Sequence, residues 1–210
     1  MKEAAPGPLV VFTKYTPYLV VGLTDCRDAE GRAVAMQPVT ALCRCGKSMA
    51  KPYCDGTHNR IGFVGEKGKP RCRDHERDAV GREITIHDNR GLCAHDESCV
   101  RGLPSVFRRG KLPWIDPDGA GPGEIMATID KCPSGALSYT YRGKRGPQPD
   151  RPAAIRISRN GPYRLEGGIR ILDDLGSAPE PRERCTLCRC GQARNKPFCD
   201  GSHDGAAFED

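Results

Sequence analysis

Apolar residues in this chain come in short runs broken by turn-forming residues. The best runs are residues 9–12 and 18–23, with a related extended stretch at 163–165. Runs of that length, rich in Val, Leu and Tyr, predict strands of a small antiparallel sheet. The middle of the chain has a different rhythm. It predicts a strand over 82–87, a short helix after Cys99, an extended segment over 112–115, a helix over 123–130 and a strand over 137–141. That β-α-β-α-β order is an α+β sandwich. No run approaches the roughly 18 apolar residues of a membrane helix, and the first residues lead into no secretory apolar segment. A soluble, cytoplasmic protein with no membrane partner is expected.

Composition sharpens this picture. Gly and Pro supply 43 of the 210 residues, about a fifth where roughly 12% is ordinary, so loops dominate and bulky core formers are scarce. A loop-rich chain needs a staple other than burial, and 12 Cys with 5 His are the available supply. In a reducing compartment an even cysteine count reads as metal ligation rather than as a disulfide scaffold.

The chain also repeats itself. At an offset of 145, residues 16–63 align with 161–208 without a gap. Leu42, Cys43, Arg44, Cys45 and Gly46 recur as Leu187, Cys188, Arg189, Cys190 and Gly191. Lys51, Pro52, Cys54, Asp55, Gly56 and His58 recur as Lys196, Pro197, Cys199, Asp200, Gly201 and His203. An internal duplication of this kind sets the domain plan. Two β-rich modules at 9–64 and 155–210 flank an α+β module at 82–141, with charged, Gly/Pro-bearing connectors between them.

Each repeat carries the spacing C-x-C-x8-C-x3-H: Cys43, Cys45, Cys54 and His58 in the first copy, and Cys188, Cys190, Cys199 and His203 in the second. Two cysteines two apart in an extended segment share a face. A Cys and a His four apart share one if Asp55 caps a helical turn. Two chelating pairs per loop suit two irons bridged by sulfide, one iron per pair. Tetrahedral zinc is the alternative on donor type, although zinc loops usually space the first pair by two or more residues.

These loops resemble the CDGSH iron-sulfur family, the NEET proteins, whose pattern is C-x-C-x2-(S/T)-x3-P-x-C-D-G-(S/A/T)-H. The first loop fits throughout, with Ser48, Pro52 and Cys54-Asp55-Gly56-Thr57-His58. The second departs at Ala193, which is expected to lose a hydrogen bond near the cluster but no ligand. The resemblance implies a [2Fe-2S] cluster in each loop, held by three Cys and one His. Family members usually pair as strand-exchanged homodimers, so two copies in one chain imply an intramolecular pseudo-dimer with approximate twofold symmetry, and a monomeric protein.

In the middle module, Cys93-x5-Cys99 is followed by Cys132-Pro133. Asp96 stands where a bacterial ferredoxin run places its middle cysteine. Residues 90–139 resemble the divergent mono-cluster ferredoxins. The resemblance implies a [3Fe-4S] cluster on Cys93, Cys99 and Cys132, which is the favoured form, or a [4Fe-4S] cluster with Asp96 as fourth ligand. The alternative is a module of three free thiols and no cluster. His95 reads as a surface residue, and Cys26, Cys72 and Cys185 as spare thiols.

The formal charge of +6 and a basic linker at 140–159 point toward nucleic acid. Ligating thiolates offset much of that excess, so no nucleic-acid partner is expected. Arg44, Lys47, Lys51, Arg189 and Lys196 lie beside ligands and are expected to stabilise an added electron. No Ser-His-Asp set, paired acids or phosphate-cradling loop is present, so the protein is expected not to be an enzyme. The leading function is single-electron transfer with redox protein partners. The rivals are a carrier that delivers clusters to apo-proteins and a zinc-dependent RNA-binding module. A His ligand in place of Cys raises the reduction potential and adds a group that acid can detach.

Overall fold

The computed structural model describes residues 7–69, 75–147, 150–174 and 183–210. The first copy contributes β1 (Leu9–Phe12), β2 (Tyr18–Val21), β3 (Cys26–Arg27), β4 (Val39–Leu42) and α1 (Thr57–Arg60). The middle contributes β5 (Glu76–Val80), β6 (Ile84–Asn89), α2 (Ser98–Gly102), α3 (Pro122–Ile129), β7 (Leu137–Tyr141) and β8 (Lys144–Arg145). The second copy contributes β9 (Ala154–Ile157), β10 (Tyr163–Glu166), β11 (Arg170–Asp173), β12 (Arg184–Leu187) and α4 (Ser202–Gly205). The chain is α+β, mostly sheet with short helices. No described helix is long and apolar enough to cross a membrane.

The outer strands alternate in burial as half-buried strands do: Val10 and Phe12 point inward on β1, Tyr18 and Val20 on β2. Each copy lends one strand to the other. The first sheet runs β11-β1-β2-β4, with β11 parallel to β1 in the register Leu9↔Arg170. The second runs β12-β10-β9-β3, with β3 parallel to β9 in the register Cys26↔Ile155. The donated strands β3 and β11 occupy equivalent places in the repeat, so the exchange is reciprocal. Between the sheets the Tyr18 and Tyr163 rings, both 1% exposed, meet edge to face at 6.1 Å.

In the middle module β5-β6-β7-β8 form an antiparallel sheet, and α3 packs on β7. Helix α3 starts with Pro122 at its first position, and Glu124 accepts the Gly121 N–H at 3.2 Å. Its buried Ile125 and Ile129 lie one turn apart on the face turned to the core. Two expectations need correction. Strand β5 lies in what reads as a connector, because Glu76, Arg77 and Asp78 give it no apolar rhythm and an edge strand tolerates charge. The segment 112–115 is not a strand, and only Ile115 bridges to Phe107.

Candidate metal centres

Each outer loop is gripped by the opposite copy. Tyr163 donates its hydroxyl to the carbonyls of Cys43 (2.9 Å) and Pro52 (3.1 Å), and Tyr18 donates to those of Cys188 (3.0 Å) and Pro197 (3.2 Å). Gly46 and Gly191 hold left-handed φ angles of 77° and 76°, and a Cβ on either would fall about 2.5 Å from the carbonyl oxygen of Cys190 or Cys45. That close approach admits only glycine.

Within a loop the donors come together as pairs. Cys43 and Cys45 place their sulfurs 3.9 Å apart, Cys188 and Cys190 3.7 Å apart. Cys54 Sγ lies 3.2 Å from His58 Nδ1, and Cys199 Sγ 3.4 Å from His203 Nδ1. A metal–thiolate bond of about 2.3 Å at a tetrahedral angle puts two sulfurs about 3.8 Å apart, so each pair fits one metal atom. The two pairs of a loop do not close on a common point. Among the described residues, the sole trio of His, Cys, Asp or Glu donor atoms all within 4.8 Å of one another is Glu76, Asp78 and His87. No trio from either cysteine loop meets that limit.

The turn that presents the histidine differs from expectation in its capping residue. Helix α1 is capped by Gly56, at φ 82°, rather than by Asp55. The Asp55 carboxylate instead accepts the amides of Thr57 and Met49, both at 2.9 Å, and these bonds hold it well below the usual carboxylate range. Asp200 repeats the arrangement with Ser202 and Arg194. Ser48 accepts the Ala50 amide and donates to the Tyr53 carbonyl at 2.7 Å. Ala193 cannot make the matching pair, which identifies the bond expected to be lost. Arg44 and Arg189 are 2% and 3% exposed and their guanidiniums are held by the chain around them: Arg44 by the carbonyls of Thr13 and Gly65 and the Phe12 ring, Arg189 by the Ser158 carbonyl, the Tyr163 ring and the Asp210 carboxylate. They brace the chain around the loops as well as adding charge.

Burial makes these thiols demand a cation. Desolvation pushes Cys199 up to about 12 and Cys99 up to about 11, and raises Cys54 and Cys93. In the Cys43/Cys45 and Cys188/Cys190 pairs one sulfur donates to the other, which lowers Cys43 to about 6 and Cys190 to about 7 while raising each partner. Backbone amides of Gly56 and Gln192 point at Cys54 and Cys190 sulfurs at 3.4 Å, as they would toward thiolates bound to metal.

Cys93, Cys99 and Cys132 line one cavity in the middle module together with Asp88, Arg90 and Trp114. The His95 amide points at Cys93 Sγ at 3.4 Å. Asp96 lines the same cavity, but one of its carboxylate oxygens pairs with Arg164 of β10 at 3.0 Å. His95 is half-buried against Gly201, so it is not a plain surface residue. Cys26 and Cys185 are buried in strands apart from the loops, and burial pushes Cys26 up to about 11. Cys72 lies outside the described residues. Asp88 is missed by reading the sequence: it is 4% exposed, its Oδ1 has no hydrogen-bond partner, and desolvation pushes it up to about 6. Nothing in the sequence around it signals that burial.

Comparison with known proteins agrees with the site. A family model described as iron-binding zinc finger, CDGSH type, matches residues 15–59 and again 160–204, and one described as divergent 4Fe-4S mono-cluster matches 79–142. The chain belongs to the CDGSH iron-sulfur family, with a divergent mono-cluster module between its two CDGSH copies. It is 39% identical over 63 residues to the uncharacterized protein YjdI of Escherichia coli K12, and equally to that of Escherichia coli O157:H7; each match spans 30% of this chain and 83% of the relative. No solved structure matches the chain.

Proposed function

We propose that this iron-sulfur protein carries single electrons between redox protein partners, using a [2Fe-2S] cluster in each CDGSH loop and a three-iron cluster in the middle module. The observation that carries the cluster type is the pairing of donors. One tetrahedral zinc would need all four donors of a loop roughly 3.5–3.8 Å from one another. Pairs that fit one metal atom each, with no trio inside 4.8 Å, favour two metal atoms per loop. When bound, the clusters supply reversible one-electron chemistry.

The chain's own residues do the rest. Cys43, Cys45, Cys54 and His58 hold one cluster; Cys188, Cys190, Cys199 and His203 hold the second. Cys93, Cys99 and Cys132 hold the third. The reciprocal strands β3 and β11 and the crossed tyrosine bonds support a twofold pseudo-dimer within a monomeric chain. Pairing of one Asp96 oxygen with Arg164 favours the three-iron form, because a carboxylate that stays with the guanidinium is a weaker iron ligand. Potentiometric titration followed by EPR tests the reading. Two [2Fe-2S] signals that appear on reduction, with a three-iron signal before it, are expected. Protein that stays EPR-silent through reduction by dithionite would overturn it.

A further inference from the structure

The two CDGSH copies are equal in the repeat but not in their surroundings. The middle module is hydrogen-bonded to the second copy through residues that differ between the copies. Arg164 pairs with Asp96 at 3.0 Å. Asn195 donates its amide to the Gly91 carbonyl. Arg184, 9% exposed, donates to the carbonyls of Asp130 (2.9 Å) and Ile129 (3.0 Å), and its own carbonyl sits 2.9 Å from where a Cβ on Gly135 would be. The equivalent first-copy residues, 145 positions earlier, are Leu19, Ala50 and Val39, which can form none of these bonds. Val39 is 55% exposed.

Every contact lands within three residues of a candidate ligand of the middle module: Gly91 and Asp96 flank Cys93, Ile129, Asp130 and Gly135 flank Cys132. The matched glycines make the asymmetry plain. A Cβ on Gly201, between Cys199 and His203, would meet His95 Cβ at 3.0 Å and the Ala94 carbonyl at 3.4 Å. A Cβ on Gly56, its counterpart in the first loop, would meet nothing within 4 Å. The left-handed φ is nearly the same at both, 78° and 82°.

From this we infer that Arg164, Arg184 and Asn195 are internal docking residues that hold the Cys93/Cys99/Cys132 centre against the second CDGSH loop. The second centre is thereby the direct electron partner of the middle one, and the first CDGSH loop is left as the outward-facing end. The inference rests on the electron-carrier reading for its chemistry. With clusters held by these residues, an electron delivered to the Cys93/Cys99/Cys132 centre by a one-electron protein donor would pass to the Cys188–His203 centre, one centre losing the electron that the other gains, with no bond made or broken. Electron tunnelling falls steeply with distance, so the abutting backbone at 94–95 and 201 decides the route.

Two measurements on the holo-protein test this. Hydrogen exchange compares the parent with the triple variant Arg164→Leu, Arg184→Val, Asn195→Ala, which gives the second copy residues the first already carries, and with N195A alone in case the triple variant does not fold. Exchange at 91–99 and 129–135 is expected to quicken by about threefold or more, with 43–58 unchanged. Unchanged exchange at 91–99 in N195A would overturn the docking. In EPR power saturation, the [2Fe-2S] signal displaced by H203C is expected to relax faster than the one displaced by H58C, and the docking variants to equalise them. Equal relaxation in the parent overturns the route. Loss of all reduced signals with the exchange result intact sinks the electron-carrier reading and leaves the docking standing.

Discussion

Removing one hydroxyl tests whether each cysteine loop is held by the opposite copy. Tyr163→Phe keeps the ring, and with it the edge-to-face packing on Tyr18, but deletes the donor to Cys43 and Pro52. Pro52 retains the Cys43 amide at 2.8 Å, so the loss falls on the Cys43 carbonyl. A buried acceptor deprived of its donor destabilises by about 1–3 kcal/mol. If local opening of the loop exposes that carbonyl, amide exchange across 43–58 should quicken by roughly 5- to 150-fold. The assay is peptide-resolved hydrogen exchange on anaerobic holo-protein. Exchange at 188–203, in Tyr163's own copy, should change far less, and Y18F should give the mirror result. Loss of protection confined to 188–203 in Y163F would refute the crossed support, since it would mean that each copy holds its own loop.

Other outcomes follow from the same contacts. Gly46→Ala should cost more than half of the bound iron, because its Cβ has no room beside the Cys190 carbonyl, whereas Gly31→Ala, with a similar φ of 80° and open space, should cost only about 1 kcal/mol in thermal stability and no iron. Asp88→Asn should raise the melting temperature at pH 7.5. The buried carboxyl binds its proton more tightly folded than unfolded, so the penalty appears as pH rises through about 6, and the gain should vanish near pH 4; an unchanged melting temperature at pH 7.5 would count against the burial argument. Cys99 and Cys199 titrate higher folded than the ordinary thiol value of 9.0. On account of these two thiols, chelated, iron-free protein should lose stability as pH rises between about 9 and 12, measured by urea titration. Iron and sulfide reloading should release protons below that range.

Much of this was legible because ligand chemistry is written in short spacings. The repeat placed both loops, and the Cys-x-Cys and Cys-x3-His pairs meet at the distances a shared metal atom needs. Strand β7 and helix α3 follow from β-branched, aromatic and i,i+4 apolar patterns. What spacing cannot carry is partner choice. Strands β3 and β11 are short and bind across the copies, so their pairing depends on contacts some 145 residues away in sequence. Strand β5 is charged and sits at an edge, where no apolar alternation is required. Arg164, Arg184 and Asn195 stand at positions where the repeats differ, and their spacing does not show that the fold brings them to the middle module. Asp88 shows the same limit: a carboxylate among polar neighbours in sequence is one of the most buried groups beside the middle cysteines.

Metal and acid-labile sulfide counted together on anaerobically purified, iron-replete protein reach the centre of the matter. Two two-iron clusters and one three-iron cluster give about seven iron and eight sulfide per chain, with zinc near zero. A folded protein holding about two zinc ions and no sulfide would contradict the assignment of paired donors to iron-sulfur clusters.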